Sequence, residues 1–128
     1  MSAGGINSFK DLVVRQKAIS LSVECYQLTR SFPRDEMYGL VTQIRRSAVS
    51  VATNIAEGHG RKHTRSFIQF LRVSQGSLKE LETHLIICEK VQLAGIDKLK
   101  PLYGLADEVG RMLRALIRTL EDKLGASA

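Results

Sequence analysis

Apolar residues recur at helical spacing in four long stretches, separated by short segments rich in Gly, Pro, Ser or His. The spacing predicts a first helix over about 8–30, with Phe9, Leu12, Val13, Ile19, Val23 and Tyr26 on its inward stripe. Ser8 stands at the cap position with Asp11 three residues on, the arrangement of a capping box. Pro33 disfavours helical geometry at Phe32 and then opens a second helix over about 33–57, with Asp35 and Glu36 in its first turn. Its stripe is Met37, Leu40, Val41, Ile44, Ala48, Val51, Ala52 and Ile55. The run Ser47 to Thr53 is almost all small or β-branched, which lets a neighbouring helix come close. Gly58 is placed to end this helix in the left-handed conformation. Thr64 caps a third helix over about 64–94, carrying Phe67, Phe70, Leu71, Ser74, Leu78, Leu81, Leu85, Cys88 and Val91. Gly95 ends it, and Asp97 caps a fourth over about 97–123, with Leu99, Leu102, Tyr103, Ala106, Val109, Leu113, Leu116, Ile117 and Leu120.

Short connections between long helices force antiparallel neighbours. The expected fold is all-α, an antiparallel up-down-up-down four-helix bundle with residues 1–128 as one domain. Both prolines stand where helices can begin. Gly39, Gly76 and Gly110 fall inside expected helices, where each costs about 1 kcal/mol relative to Ala, so close helix crossings are expected there. Leu21, Leu28, Val49, Ile86, Leu105 and Met112 lie outside the main stripes. A second apolar stripe points to a protein–protein surface, and the expectation is a homo-oligomer.

Composition narrows the chemistry. The chain is 44% hydrophobic with no Trp, so its core is aliphatic. Cys25 and Cys88 are too few for a disulfide scaffold and lack the close spacing of a zinc or redox motif, which leaves them as packed thiols. No apolar run reaches the ~20 residues of a membrane span, and Met1 to Asn7 does not read as a signal peptide. The expected setting is therefore the cytoplasm, with no membrane association. His59 and His63 fall in the break between helices, and no carboxylate completes a metal set at a recognised spacing. They read as loop histidines or phosphate contacts, while His84 reads as a satisfied, partly buried histidine. Gly58-His59-Gly60-Arg61 lacks both the preceding strand and the Lys-Ser/Thr end of a P-loop. No catalytic constellation assembles, so the chain is expected to be non-enzymatic and to need no cofactor.

Charge is more informative. The formal net charge is +6, and residues 33–66 hold six Lys/Arg against three acids, whereas residues 67–96 are balanced. Arg45, Arg46, Arg61, Lys62 and Arg65 are the candidate phosphate contacts, three of them around a helix N-terminus whose free N–H groups also favour anions. The ligand would be RNA or DNA. The same charge also suits an acidic protein partner, or merely a soluble turn. Arg45 and Arg46 point about 100° apart on a helix, so at most one faces a seam, with Glu80 or Glu82 as possible partners. Asn54 has a backbone group or Glu57 within reach by the same logic. These polar residues equally suit a role in setting helix register. No aromatic platform for stacking bases stands out.

Several motifs occur in order: Phe9-Lys10-Asp11-Leu12, Gln16-Lys17-Ala18, Phe32-Pro33 with Glu36, and Tyr38-Gly39-Leu40. Gln43-Ile44-Arg45-Arg46-Ser47-Ala48 and Asn54-Ile55-Ala56-Glu57-Gly58 follow, then Arg61, Phe70-Leu71, Gly76-Ser77 and Glu80-Leu81-Glu82-Thr83. Together they resemble the bacterial 23S rRNA intervening-sequence proteins, also called the S23 ribosomal protein family, over roughly residues 9–85. Arg15 stands where many members have Trp, and Ser74 where Ala is usual. The resemblance implies a four-helix bundle closing into a ring, a homopentamer, and no known enzymatic activity. The family also looks similar to the accessory protein of diversity-generating retroelements, a basic pentameric bundle that binds nucleic acid and a reverse transcriptase. The ribosomal label reflects genomic context and does not imply ribosome membership. The reading is an oligomeric, non-enzymatic bundle that binds nucleic acid, with a protein-interaction scaffold as the alternative.

Overall fold

The computed structural model describes the backbone of residues 4–127 and the side chains of residues 11–125. Four helices, α1 (Gly4–Thr29), α2 (Leu40–His59), α3 (Thr64–Lys90) and α4 (Ile96–Ser127), are joined by short connections, with no strand among the described residues. Each helix packs against two others, in the cyclic order α1, α2, α3, α4. Side-chain ties fix the directions. Asp11 meets His59 and Thr29 meets Arg45, so α1 and α2 are antiparallel. Ser74 meets Val51 and Ser50 meets Ser77, so α2 and α3 are antiparallel as well. Arg72 pairs with Glu121 and Tyr103 with Glu89 between α3 and α4, and Lys17 with Glu108 between α1 and α4. An up-down-up-down bundle results.

The core face of α1 is not the stripe expected from spacing. Val14, Ala18, Leu21, Cys25 and Leu28 are buried, whereas Leu12, Ile19, Val23 and Tyr26 are all at least 40% exposed. Both faces of α1 are apolar, so periodicity alone does not choose between them. Leu21 and Leu28, read as surface candidates, are core. Leu105 and Met112 are partly buried against the core, while Val49 and Ile86 are exposed. Because α1 begins at Gly4, Ser8 lies inside it and is not its cap, and the side chains of Ser8 and Phe9 lie outside the described residues.

The start of α2 is also later than expected. Pro33 caps only a single 3-10 turn (Arg34–Glu36), which holds Asp35 and Glu36, and Gly39 then breaks the path at φ −112°, ψ −107°. Met37 is exposed accordingly. At its other end α2 continues through Gly58, which is buried and helical rather than left-handed. A Cβ at Gly58 would stand 2.9 Å from Phe67 Cδ1 and 2.9 Å from Phe70 Cβ. This is the closest glycine approach among the described residues. Gly110 faces Leu78 similarly, at 3.3 Å, but nothing lies within 4 Å of Gly76.

The small-residue run of α2 does what small residues permit. The buried Ser74 hydroxyl donates to the Val51 carbonyl at 2.8 Å, and Ser50 and Ser77 share a hydrogen bond at 2.7 Å. His63, not Thr64, occupies the cap position of α3. That helix stops at Lys90, four residues before the expected end, because Gln92 turns left-handed at φ 64°. The Leu93 N–H then donates to the Cys88 carbonyl at 2.9 Å and the Gln92 N–H to Glu89 at 3.1 Å, a Schellman motif with Gln where Gly is usual. In α4, Pro101 lies inside the helix and Asp97 in its first turn, one residue past the start.

Two substitutions test this packing by chemical denaturation. Gly58→Ala forces a methyl into Phe67 and Phe70 and is expected to destabilise by about 1–3 kcal/mol. Gln92→Gly relieves a left-handed residue and is expected to stabilise by about 1 kcal/mol.

Candidate nucleic-acid interface

The five candidate phosphate contacts divide into two groups at opposite ends of α2. Residues 46 and 61 are 15 apart, which is about 22 Å along a helix. No single backbone contact spans them.

The first group is Arg45 and Arg46. Arg45 is half-buried, and its partners lie on α1 rather than on α3, so the expected pairing with Glu80 or Glu82 is not made. Its Nε donates to Thr29 Oγ1 at 2.9 Å, and its guanidinium carbon sits 4.5 Å from the centroid of the Tyr26 ring. Thr29 in turn donates its hydroxyl to the Cys25 carbonyl at 2.8 Å. Arg46 is exposed and has no ion-pair partner among the described residues. Asn54 bonds the backbone, as one of its two expected options: its amide donates to the Ser50 carbonyl at 2.9 Å and to the Ser50 hydroxyl at 3.0 Å.

The second group is the turn between α2 and α3. Arg61 is exposed but committed: it pairs with Glu57 one helical turn back at 2.6 Å and stacks 4.7 Å from the Phe70 ring centroid. Lys62 and Arg65 are exposed and have no carboxylate partner among the described residues. The α3 terminus beside them has no acidic residue in its first turn and no side-chain cap. Its free N–H groups therefore add to the positive field of the two cations.

His59 is not a loop histidine. It is the last residue of α2, and its Nδ1 lies 2.6 Å from Asp11 Oδ2. Asp11, expected as a capping-box acid, is only 4% exposed and has its other oxygen, Oδ1, without a partner among the described residues. Burial pushes the Asp11 carboxyl above its ordinary value, while His59 and Arg15 pull the other way. The two residues are 48 apart in the chain, and nothing local in the sequence pairs them. His84 is half-buried with its Nδ1 unpartnered among the described residues.

Both cysteines are buried free thiols, and burial above all raises them, Cys25 to about 12 and Cys88 to about 11. They remain protonated at neutral pH and are poor nucleophiles there. Among the described residues no three His, Cys, Asp or Glu side chains gather as a metal site. No described helix is long and apolar enough to cross a membrane.

An antiparallel four-helix bundle with an uncapped, basic inter-helix turn is the class that fold and surface define. The chain belongs to the 23S rRNA-intervening sequence protein family, whose pattern matches residues 10–115. Its fold is similar to a crystal structure of a protein of unknown function from the S23 ribosomal protein family of Bacteroides thetaiotaomicron. The two are 22% identical with a TM-score of 0.79, covering 85% of this chain and 98% of that one. No curated protein matches the chain.

The Asp11–His59 pair yields a pH prediction. A carboxyl raised in the folded state contributes stability below its unfolded pKa and loses it as pH rises through the folded value. Relative to an Asp11→Asn variant, the wild-type chain should lose stability as pH rises from below 3.8 through the carboxylate range. Urea denaturation of both chains at several pH values checks the sign; a wild-type gain over that range would contradict it.

Proposed function

We propose that the chain is a non-enzymatic, self-associating bundle that binds RNA or DNA through repeated basic turns. The observation that carries this reading is the pair Lys62 and Arg65, exposed beside an α3 terminus with no acid in its first turn. Cations without carboxylate partners need no rearrangement to meet a phosphate backbone, and neighbouring free N–H groups act in the same sense. Arg61 supports the turn by its hold on Glu57 and Phe70 and contributes a smaller share of the contact. Each turn alone is a weak site, and repetition around an assembly strengthens it by multivalency.

Self-association is supported by the apolar side chains that the single chain leaves in water. On α3 these are Val73, Ile86 and Ile87, with Val91 at its C-cap and Ile96 at the start of α4. A ring, such as the homopentamer that the family resemblance implies, requires two different faces of each chain to meet head to tail. The α3 face is proposed as one of them. The charge also fits an acidic protein partner, the alternative occupant of the same turn. The cytoplasm is the proposed setting.

Fluorescence anisotropy with mixed-sequence RNA and duplex DNA across a salt series tests the binding. Affinity should fall with salt, and Lys62→Ala/Arg65→Ala should flatten the slope by about 1 for each lost phosphate contact. Absence of binding at low salt would leave the scaffold reading. Light scattering should give a multiple of the 14.2 kDa chain mass, reduced by Ile87→Asp/Val91→Asp.

A further inference from the structure

Two hollows adjoin on the outer surface between α1 and α2, sharing Tyr26, Val49 and Thr53. The first, about 490 Å³, is walled by Arg45 and Arg46 with the hydroxyl-bearing Thr42 and Ser50. The second, about 480 Å³, presents mainly apolar surface from Ile19, Val23 and Ala52, and is also lined by Ser22, Gln27 and Arg30. Each is of a size that holds a small planar group with its substituent. One half of the groove thus carries two arginines and the other is mainly apolar with one, and Tyr26 stands where they meet.

Arg45 is built into this groove in advance. Thr29 holds its Nε, and its guanidinium carbon stands over the Tyr26 ring. Its terminal Nη groups have no acceptor, and no carboxylate is in ion-pair reach among the described residues. A guanidinium that is half-buried, oriented and unneutralised favours an anion that accepts from its fork, and phosphate matches that geometry. Arg46 lines the same hollow and is equally unneutralised. A phosphate alone would leave the apolar half in water. A phosphate carrying a flat, weakly polar ring would cover it.

We propose that this groove seats one nucleotide of a single-stranded nucleic acid, its phosphate on Arg45 and Arg46 and its base against Tyr26, Val23 and Val49. The inference rests on the nucleic-acid reading above and names the form of ligand that this second surface takes. A duplex keeps its bases stacked inside and cannot place one in the groove, so the basic turn serves either form and the groove serves only a single strand. Base stacking on side chains is tolerant of sequence, so no strong base preference is expected.

The test is anisotropy with a labelled single-stranded RNA of mixed sequence and with a duplex of the same sequence, on the intact chain at fixed salt. Two variants alter exposed positions only: Arg46→Ala, and Val49→Glu, which sets a carboxylate one helical turn from Arg45 on α2. Each should weaken single-strand binding about tenfold, within the span of one stacked base and one charged hydrogen bond, and leave duplex binding within twofold. Lys62→Ala/Arg65→Ala should weaken both. Equal losses for strand and duplex, or no loss for either, would overturn the groove. If the wild-type chain binds neither form at low salt, the nucleic-acid reading itself fails, which is a different outcome. Competition separates the sources of phosphate. Uridine monophosphate at millimolar concentration should displace the strand better than inorganic phosphate at equal ionic strength. Equal displacement would reduce the groove to a simple anion site and overturn the base contact, and micromolar binding of the mononucleotide would assign it to free nucleotides instead. Light scattering on Val49→Glu should match the wild-type mass; a fall to one chain would assign the groove to a second copy and overturn the proposal.

Discussion

The close approach of α2 to α3 is the constraint on which the rest depends. Gly58 lies so near Phe67 and Phe70 that no side chain fits there, and Ser74 bonds across the same seam to the Val51 carbonyl. Helices this close need a short reversal, and only residues 60–63 connect them. A reversal so short has no room to fold its own side chains inward. Lys62 and His63 are therefore displayed to solvent, and Arg65 follows on the first turn of α3. Arg61 is steadied by the Phe70 ring, one of the two aromatic residues that exclude a side chain from Gly58. The basic surface is in this sense a consequence of the packing beneath it.

The contact between α1 and α2 has a different character. Polar ties hold it at three levels: Asp11 with His59 at one end, Ser22 with the Ala48 carbonyl in the middle, and Thr29 with Arg45 at the other end. Between and outside them the surface stays apolar, with Ile19, Val23 and Val49 in contact with water. A groove that is pinned by hydrogen bonds yet not closed by side chains keeps its shape without an occupant. That distinguishes it from the α2–α3 seam, where serine hydroxyls and a glycine bring the two helices into close contact.

How far the sequence could be read depended on how one-sided each helix is. In α3 and α4 the apolar stripe is clean, and Leu71, Leu78, Leu81, Leu85 and Cys88 are all core; the exception is Val91, expected on the stripe but exposed, because α3 ends before it. In α1 both faces are apolar, and the spacing of Leu12, Ile19, Val23 and Tyr26 pointed to the wrong one. Helix ends were legible only where the chemistry was ordinary. Gln92 adopts a glycine-like conformation that composition cannot announce, and Pro33 opens one turn rather than a helix. For the surface, the charge count located the basic turn correctly in sequence. It could not reveal that Arg45 rests on Tyr26 and Thr29 or that Arg61 stacks on Phe70, because those partners come from other helices; the Arg61–Glu57 pair, four residues apart, lay within its reach. Its helical spacing likewise puts Tyr26 on the core stripe, which hides a ring that stands against the half-buried Arg45.

The central claim is that nucleic acid meets the chain at the turn between α2 and α3. Hydrogen–deuterium exchange with and without a mixed-sequence RNA at low salt tests this most directly: the Gly60 and Arg61 amides bond back to the end of α2, but those that follow, into the uncapped start of α3, lack such partners and exchange readily. The account predicts slowed exchange across residues 60–66 when RNA is present. Unchanged exchange there, with the RNA shown to be bound or with no binding at all, would contradict it.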